Sequence, residues 1–411
     1  MTSATDARVP GHTTGHPALR RLVADPDAFA RDVWGRSALL TPSEDLAGGF
    51  GDLFDEAAVD ELVSRRGLRT PFIRVAKDGT TLAARDYTGG GGVGAGVADQ
   101  ADDSRLTALL ADGATIVLQA LHRTWSPLLD FSQQLSAELG HAVQVNAYIT
   151  PPASRGFADH YDVHDVFVLQ ISGEKRWSIH GPVHPSPLRD QPWTDRGEAV
   201  AAAAEAAPLI DAVLTPGDCL YLPRGYLHAA TALGDVSTHL TIGVHTWTRH
   251  AVARTMLDRT LLEVADDIDV RASLPLGVHV DDAQDISPDV ELVRARLIES
   301  LGAMSAEDIA AVLATKSAAS GRPAPVGPLA QLRAAQSLTP DTVLELRHNL
   351  QPRLESHDDG VLLTTRAGEF DLGLADEAAL GRLLDGEPVT ADALGLDLAL
   401  RLLHAGVVVT T

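Results

Sequence analysis

His160 and Asp162 stand two residues apart in the run GFADHYD, and His228 closes the later run LPRGYLH. In an extended strand, residues two apart project to the same face, so the first pair can enter one cavity. A third donor must then come from elsewhere in the chain, and His228, just after a Pro-Arg-Gly turn, supplies it. Two imidazoles and one carboxylate make the facial triad of a non-haem Fe(II) site, which leaves three positions of an octahedron open. Two of these suit a chelating 2-oxo acid such as 2-oxoglutarate, and the third suits O2. An H-x-D pair alone is a weak signal in a chain with 16 histidines. Its weight comes from a β-rich setting, from the P-G-D…P-R-G…H pattern of residues 214–230, and from a cation.

That cation is Lys175, beyond Ser172-Gly173-Glu174. A turn at those three residues would bring its strand back antiparallel beside the one bearing His160 and Asp162. Inside a barrel, where low dielectric strengthens a charge pair, a lysine there suits the distal carboxylate of 2-oxoglutarate. Other histidines compete for the ligand role. His164 shares the strand parity of His160 and reads as a lining or structural residue, while His180, His184 and His245 read as core or surface residues. His239, in the alternating run 238–246, is the best candidate among them for the cavity wall.

The elements that must carry these residues follow from hydrophobic period and turn chemistry. Residues 1–16 are polar and expected to be disordered. Segment 17–40 has a helical pattern, 60–66 continues in short helical pieces, and 70–76 (TPFIRVA) reads as a strand. The run TGGGGVGAG, 88–96, contains a literal G-x-G-x-x-G, but no Lys-Ser/Thr follows and no Rossmann-type strand precedes it. It reads as a flexible loop, suited to a mobile flap. Helices are expected over 104–110 and 126–139. From 143 to 246 the texture turns to short β runs broken by Pro and Gly (VQVNAYI, HDVFVLQI, RWSIH, AVLTPGDCLYLP, HLTIGVHTW), which indicate a barrel or sandwich. The Ala-rich stretch 198–207 reads as a helical surface insertion. Residues 249–316 are helical in pattern, 317–328 (SAASGRPAPVGP) is a linker by composition, and 336–411 forms a small α/β unit. An α+β protein is expected, with a disordered segment 1–16, a catalytic domain 17–248, a helical domain 249–316, a linker 317–335 and a C-terminal domain 336–411.

Bulk properties narrow the class. A length of 411 residues exceeds what one core supports, so two or three domains are expected. The single cysteine, Cys219, excludes an intramolecular disulfide and any site of several thiolates. There is no apolar run of spanning length, roughly 18 residues or more, nor an N-terminal stretch of signal-peptide type, so a cytoplasmic protein with no membrane partner is expected. The net charge of −23 would repel a phosphate backbone and attract a basic partner.

The sequence resembles the JmjC-type 2-oxoglutarate oxygenases, and within them the ribosomal oxygenases that hydroxylate His or Arg side chains of ribosomal proteins. The resemblance rests on N-x-Y-x-T-P-P (146–152), G-F-x-x-H-x-D (156–162), F-V-L-Q-x-x-G-x-K-x-W (167–177) and P-R-G-x-x-H (223–228), and reaches weakly upstream to Trp34. It implies a double-stranded β-helix (the cupin jelly roll), then a helical dimerisation domain and a winged-helix-like domain, hence a homodimer. It also implies iron on His160, Asp162 and His228, 2-oxoglutarate on Lys175, and a pocket lined by Asn146, Tyr148, His239 and Thr241. Residues 336–411 hold five Lys or Arg against thirteen Asp or Glu, net −8, which disfavours nucleic acid as the partner of a winged helix. The expected activity is hydroxylation of a side chain of a basic, ribosomal-type protein. A small-molecule or peptide hydroxylase of the same chemistry and a non-catalytic metal-binding scaffold or sensor are the alternatives; demethylation through N-methyl hydroxylation is also chemically open.

Overall fold

The computed structural model describes residues 16–155 and 157–411, so all but His16 of the segment expected to be disordered lies outside the described residues. The chain divides into two compact units, one ending at Thr246 and the other running Trp247–Thr411.

The first unit is built on β1 (Leu39–Thr41), β2 (Ile73–Lys77), β3 (Thr115–Leu118), β4 (Ala142–Thr150), β5 (Asp165–Pro182), β6 (Ile210–Leu214), β7 (Cys219–Leu222) and β8 (Tyr226–His245). Their order is β1-β7-β5-β8-β4-β3-β2, with β6 also on β5, and every pairing among them is antiparallel. Strand alternation separates two environments. Val145, Ala147 and Ile149 of β4 and Leu240, Ile242 and Val244 of β8 pack in one core with Leu128, Phe131 and Leu135 from the helix Ser126–Leu139. A second cluster holds Val166, Val168, Trp177, Ile179, Leu214, Leu220 and Leu222. On β4 and β8 the alternate residues Asn146, Tyr148, Thr150, His239 and Thr241 face away from the first core.

Several sequence expectations are corrected here. Ser172-Gly173-Glu174 is not a hairpin turn: β5 runs through it without a break, while the register with β8 shifts between Leu233 and Thr238. The polar Gly-containing triplet carries a turn composition, but a jelly roll needs long strands that bend from one sheet into the other, and bulges provide the bend. Accordingly β5 pairs with β7 through Val166–Leu169 and with β6 through Lys175–Ile179. His160, Asp162 and His164 are not on a strand either. They lie between β4 and β5, where His160 makes a single bridge to His228. Pro151 and Pro152 end the ladder, because proline has no N–H to give it. The region 17–40 is not a continuous helix but short turns over Leu19–Arg21 and Pro26–Val33 followed by β1. Strand β3, buried at every position, escaped notice because a short apolar run has no period to read.

Gly173 adopts φ +61, and a Cβ there would collide with the Val236 carbonyl. Gly173→Ala is expected to cost about 2–5 kcal/mol, from left-handed strain of about 1–2 and overpacking of about 1–3. Thermal unfolding reads this directly; a melting temperature unchanged within a degree would contradict it.

The second unit contains the helices Arg249–Val264, Ala283–Ala303 and Ala306–Ser320, then Pro328–Gln336. The stretch expected to be linker is therefore helical at both ends. Pro328 sits at the first turn of its helix, where its missing N–H costs nothing, and Ala335 enters the C-terminal core. Beyond it, Val343–Leu346 pairs with Val389–Thr390 and Val408–Thr410, and Arg353–His357, Gly360–Thr365 and Gly368–Leu372 form a meander. Two short helices, Ala391–Leu394 and Leu396–His404, meet at Gly395, φ +79. No helix among the described residues is long and apolar enough to cross a membrane.

Candidate metal centre

β8 begins after Pro223-Arg224-Gly225, and Gly225 at φ +90 lies so close to the His184 carbonyl that no side chain fits there. This tight turn sets the first residues of β8 against the irregular segment. His160 N–H donates to the His228 carbonyl at 3.2 Å, and His228 N–H donates back to the His160 carbonyl at 2.9 Å. Gly225 N–H also holds the Asp162 carbonyl at 3.0 Å. Backbone pairing, and not strand periodicity, brings the three side chains together.

Each histidine is oriented for ligation. Nδ1 of His160 lies 2.7 Å from the Ala158 carbonyl, and Nδ1 of His228 lies 3.0 Å from the Tyr226 carbonyl. A carbonyl can only accept, so Nδ1 carries the proton in both rings and Nε2 presents its lone pair. One donor atom from each of His160, Asp162 and His228 lies within 4.8 Å of the others, and no fourth His, Cys, Asp or Glu joins the group among the described residues. Burial, then the neighbouring His160, pushes His228 down to about 4, so its ring is neutral at pH 7. Burial works to raise Asp162, but His164, His228, His160 and Arg74 outweigh it and hold the carboxyl below its ordinary range. Two neutral imidazoles and a carboxylate with a free face fit a divalent metal that keeps open positions.

Lys175 enters the same interior from β5, opposite Ala232 of β8 and Leu214 of β6. It is only 3% exposed. Its Nζ donates to Thr150 Oγ1 at 3.0 Å and stands 3.4 Å from His239 Nδ1. No carboxylate faces it among the described residues, and burial alone brings its pKa down to about 7. Burial, then Lys175, holds His239 well below its usual value. A buried amine with hydroxyl and imidazole neighbours and no carboxylate beside it fits an anion.

The remaining predicted residues divide clearly. Tyr148 stacks on His239 at 4.9 Å, and His239 meets the Trp177 ring edge at 5.4 Å. Asn146 and Thr241 are opposed across β4 and β8 on the face that carries Tyr148 and His239. Asn146 Oδ1 accepts from Ala120 N–H, which fixes its carboxamide. His164 packs against His245, His180 against Ser178, and His184 against Gln191, none of them within the triad. Sequence reasoning missed Thr150, Trp177, Phe157 and Arg74. Thr150 and Trp177 were within reach of it, because both lie in the quoted motifs beside Tyr148 and Lys175. Arg74, far upstream on β2, gave no such signal.

The strands carrying this site form a jelly roll, and residues 123–252 match the family model of the JmjC domain. The chain resembles the ribosomal oxygenases. It is 31% identical over 278 residues to ribosomal oxygenase 1 of Gallus gallus, covering 65% of this chain and 44% of that protein. It is 27% identical over 269 residues to the bifunctional lysine-specific demethylase and histidyl-hydroxylase NO66 of Drosophila persimilis, covering 64% and 37%. The chain thus spans less than half the length of these curated relatives. Among solved structures, the ribosomal oxygenase YcfD of Escherichia coli superposes with a TM-score of 0.55 at 17% identity, over 95% of this chain and 99% of that one. The same protein in complex with cobalt and 2-oxoglutarate gives 0.54 at 16%, over the same shares. At these identities the likeness is one of fold.

Proposed function

We propose that the protein is an Fe(II)- and 2-oxoglutarate-dependent oxygenase that hydroxylates a side chain of a ribosomal or other basic protein. The observation that carries this is the juxtaposition of the open-faced triad with Lys175, a buried cation lacking a counter-ion. His160, Asp162 and His228 hold the metal, while Lys175 and Thr150 hold the distal carboxylate of 2-oxoglutarate, with His239 and Tyr148 packed beside it. Asn146 and Thr241 complete the wall of the same pocket. The E. coli relative crystallised with cobalt and 2-oxoglutarate supports the pairing of metal with cosubstrate. Bound there, iron with O2 and 2-oxoglutarate supplies the oxidising equivalent that turns C–H into C–OH, as 2-oxoglutarate leaves as succinate and CO2. The chain's own part is to orient both molecules, keep the imidazoles neutral and exclude water.

The relatives named for ribosomal proteins and the net charge of −23 favour a Lys/Arg-rich protein substrate met in the cytoplasm, with no nucleic acid bound directly. The helices of 249–320 expose Leu257, Leu261, Leu262 and Ile268, which suits a dimerisation domain. Residues 336–411 serve as a winged-helix-like protein-binding module, in keeping with their net charge of −8. Purified protein with Fe(II), 2-oxoglutarate and ribosomal proteins should release succinate and add one oxygen to a side chain, seen by mass spectrometry. Neither signal with any ribosomal protein would sink the proposal.

A pH dependence follows from Lys175. Its folded value near 7 lies below the unfolded 10.5, so burial destabilises the ligand-free fold below pH 7, and this penalty is relieved as pH rises from 7 to 10.5. A carboxylate needs the ammonium form. Affinity for 2-oxoglutarate should therefore weaken above about pH 7, approaching roughly tenfold per unit. Titration calorimetry between about pH 6 and 9 checks this; a flat profile would refute it.

A further inference from the structure

Strand register places one more charged group on the wall of the site. His239 stands opposite Tyr148, Tyr148 opposite Val117, and Val117 opposite Arg74. Directly opposed residues of neighbouring strands share a face, so Arg74 ends a row that begins beside Lys175. Its guanidinium lies 5.3 Å from the Phe157 ring centre, and that ring is 6.1 Å from Tyr148 and 6.0 Å from His160. It also bears electrostatically on Tyr148 and Asp162. No ion pair secures it among the described residues, and its Nε is buried without a partner.

A guanidinium has five N–H donors and no acceptor, and stacking on the Phe157 ring leaves donors such as the buried Nε unused. A group entering between Arg74, Tyr148 and His160 must therefore accept hydrogen bonds. It must also be uncharged or negative, since like charges in a partly dry cavity repel strongly. We infer that Arg74 anchors the substrate and sets its chemical class: the side chain presented to the metal is a hydrogen-bond acceptor without positive charge, such as an imidazole or carboxamide, and not a lysine or arginine. This rests on the oxygenase assignment and sharpens it. Basic residues elsewhere in the partner are attracted by the acidic surface, while Arg74 screens only the residue that enters.

The test uses Lys/Arg-rich peptide libraries that differ only in a fixed central His, Asn, Arg or Lys. Oxygen incorporation, succinate release and peptide affinity for the iron-free protein are followed for the wild type, Arg74→Leu and Arg74→Lys. The wild type should oxygenate His- or Asn-centred peptides and not the cationic ones. Arg74→Leu should raise the peptide KM and weaken iron-free binding by about 10- to 100-fold, the range for losing a charge-assisted hydrogen bond, with the KM for 2-oxoglutarate held within about twofold. Arg74→Lys should recover part of that loss. Oxygenation at Arg or Lys centres, or an Arg74→Leu protein with unchanged peptide KM and affinity, would overturn the inference. Succinate release with no peptide oxygenated would overturn it while leaving the oxygenase assignment standing; absence of both would remove the assignment as well.

Discussion

Asp162→Ala is expected to leave the protein folded and unable to hold iron. The two histidines keep their Nδ1 bonds to Ala158 and Tyr226 and still present Nε2, but the only anionic donor of the group is gone. Losing a hydrogen bond that merely supports a metal ligand costs about 10- to 100-fold in affinity, so losing the ligand itself should cost on the order of a hundredfold or more. Iron content after dialysis, read against the wild type, measures this, and succinate release should fall to background. Unchanged iron content would refute the triad. Folding should be little affected, because Asp162 sits in an irregular segment held by its own backbone: its carbonyl accepts from Gly225 whatever the side chain.

The second large effect belongs to Lys175. Lys175→Met retains the length and apolar stem of the side chain and removes its charge. The KM for 2-oxoglutarate should rise by about 30- to 1,000-fold, corresponding to about 2–4 kcal/mol for one partner of a buried charge pair, with iron content unchanged. Stability supplies an independent check. In the ligand-free protein this ammonium is buried against Thr150 and His239 with no carboxylate, so its removal should leave the melting temperature at pH 7 equal or higher. A lysine with a purely structural role would give the opposite pattern, a lower melting temperature with an unaltered KM.

These expectations rest on different kinds of information. The candidate triad and Lys175 were singled out from residue type and spacing, since the chemistry of a facial triad restricts the donors and a cation near it has few uses. The supporting geometry inferred for them was wrong in two places. His160 and Asp162 do not share a strand, and no turn lies at Ser172-Gly173-Glu174. Spacing of two places side chains on one face only where the chain is extended and paired, and Pro151 and Pro152 prevent that. Gly173 has the composition of a turn but provides a bend within β5, because strands that serve two sheets must bend without ending.

Composition and motif alone therefore pointed to the candidate donors and cation and determined the β-rich centre between helical flanks and the acidic charge, all of which depend on what residues are. Register and backbone pairing decided the rest, because they depend on which distant segments meet. The bridge between His160 and His228 gathers the ligands. Thr150 faces Lys175 only because β4 and β5 both flank β8. Arg74 reaches the site through three strand pairings, β2 on β3, β3 on β4 and β4 on β8, that no local spacing encodes.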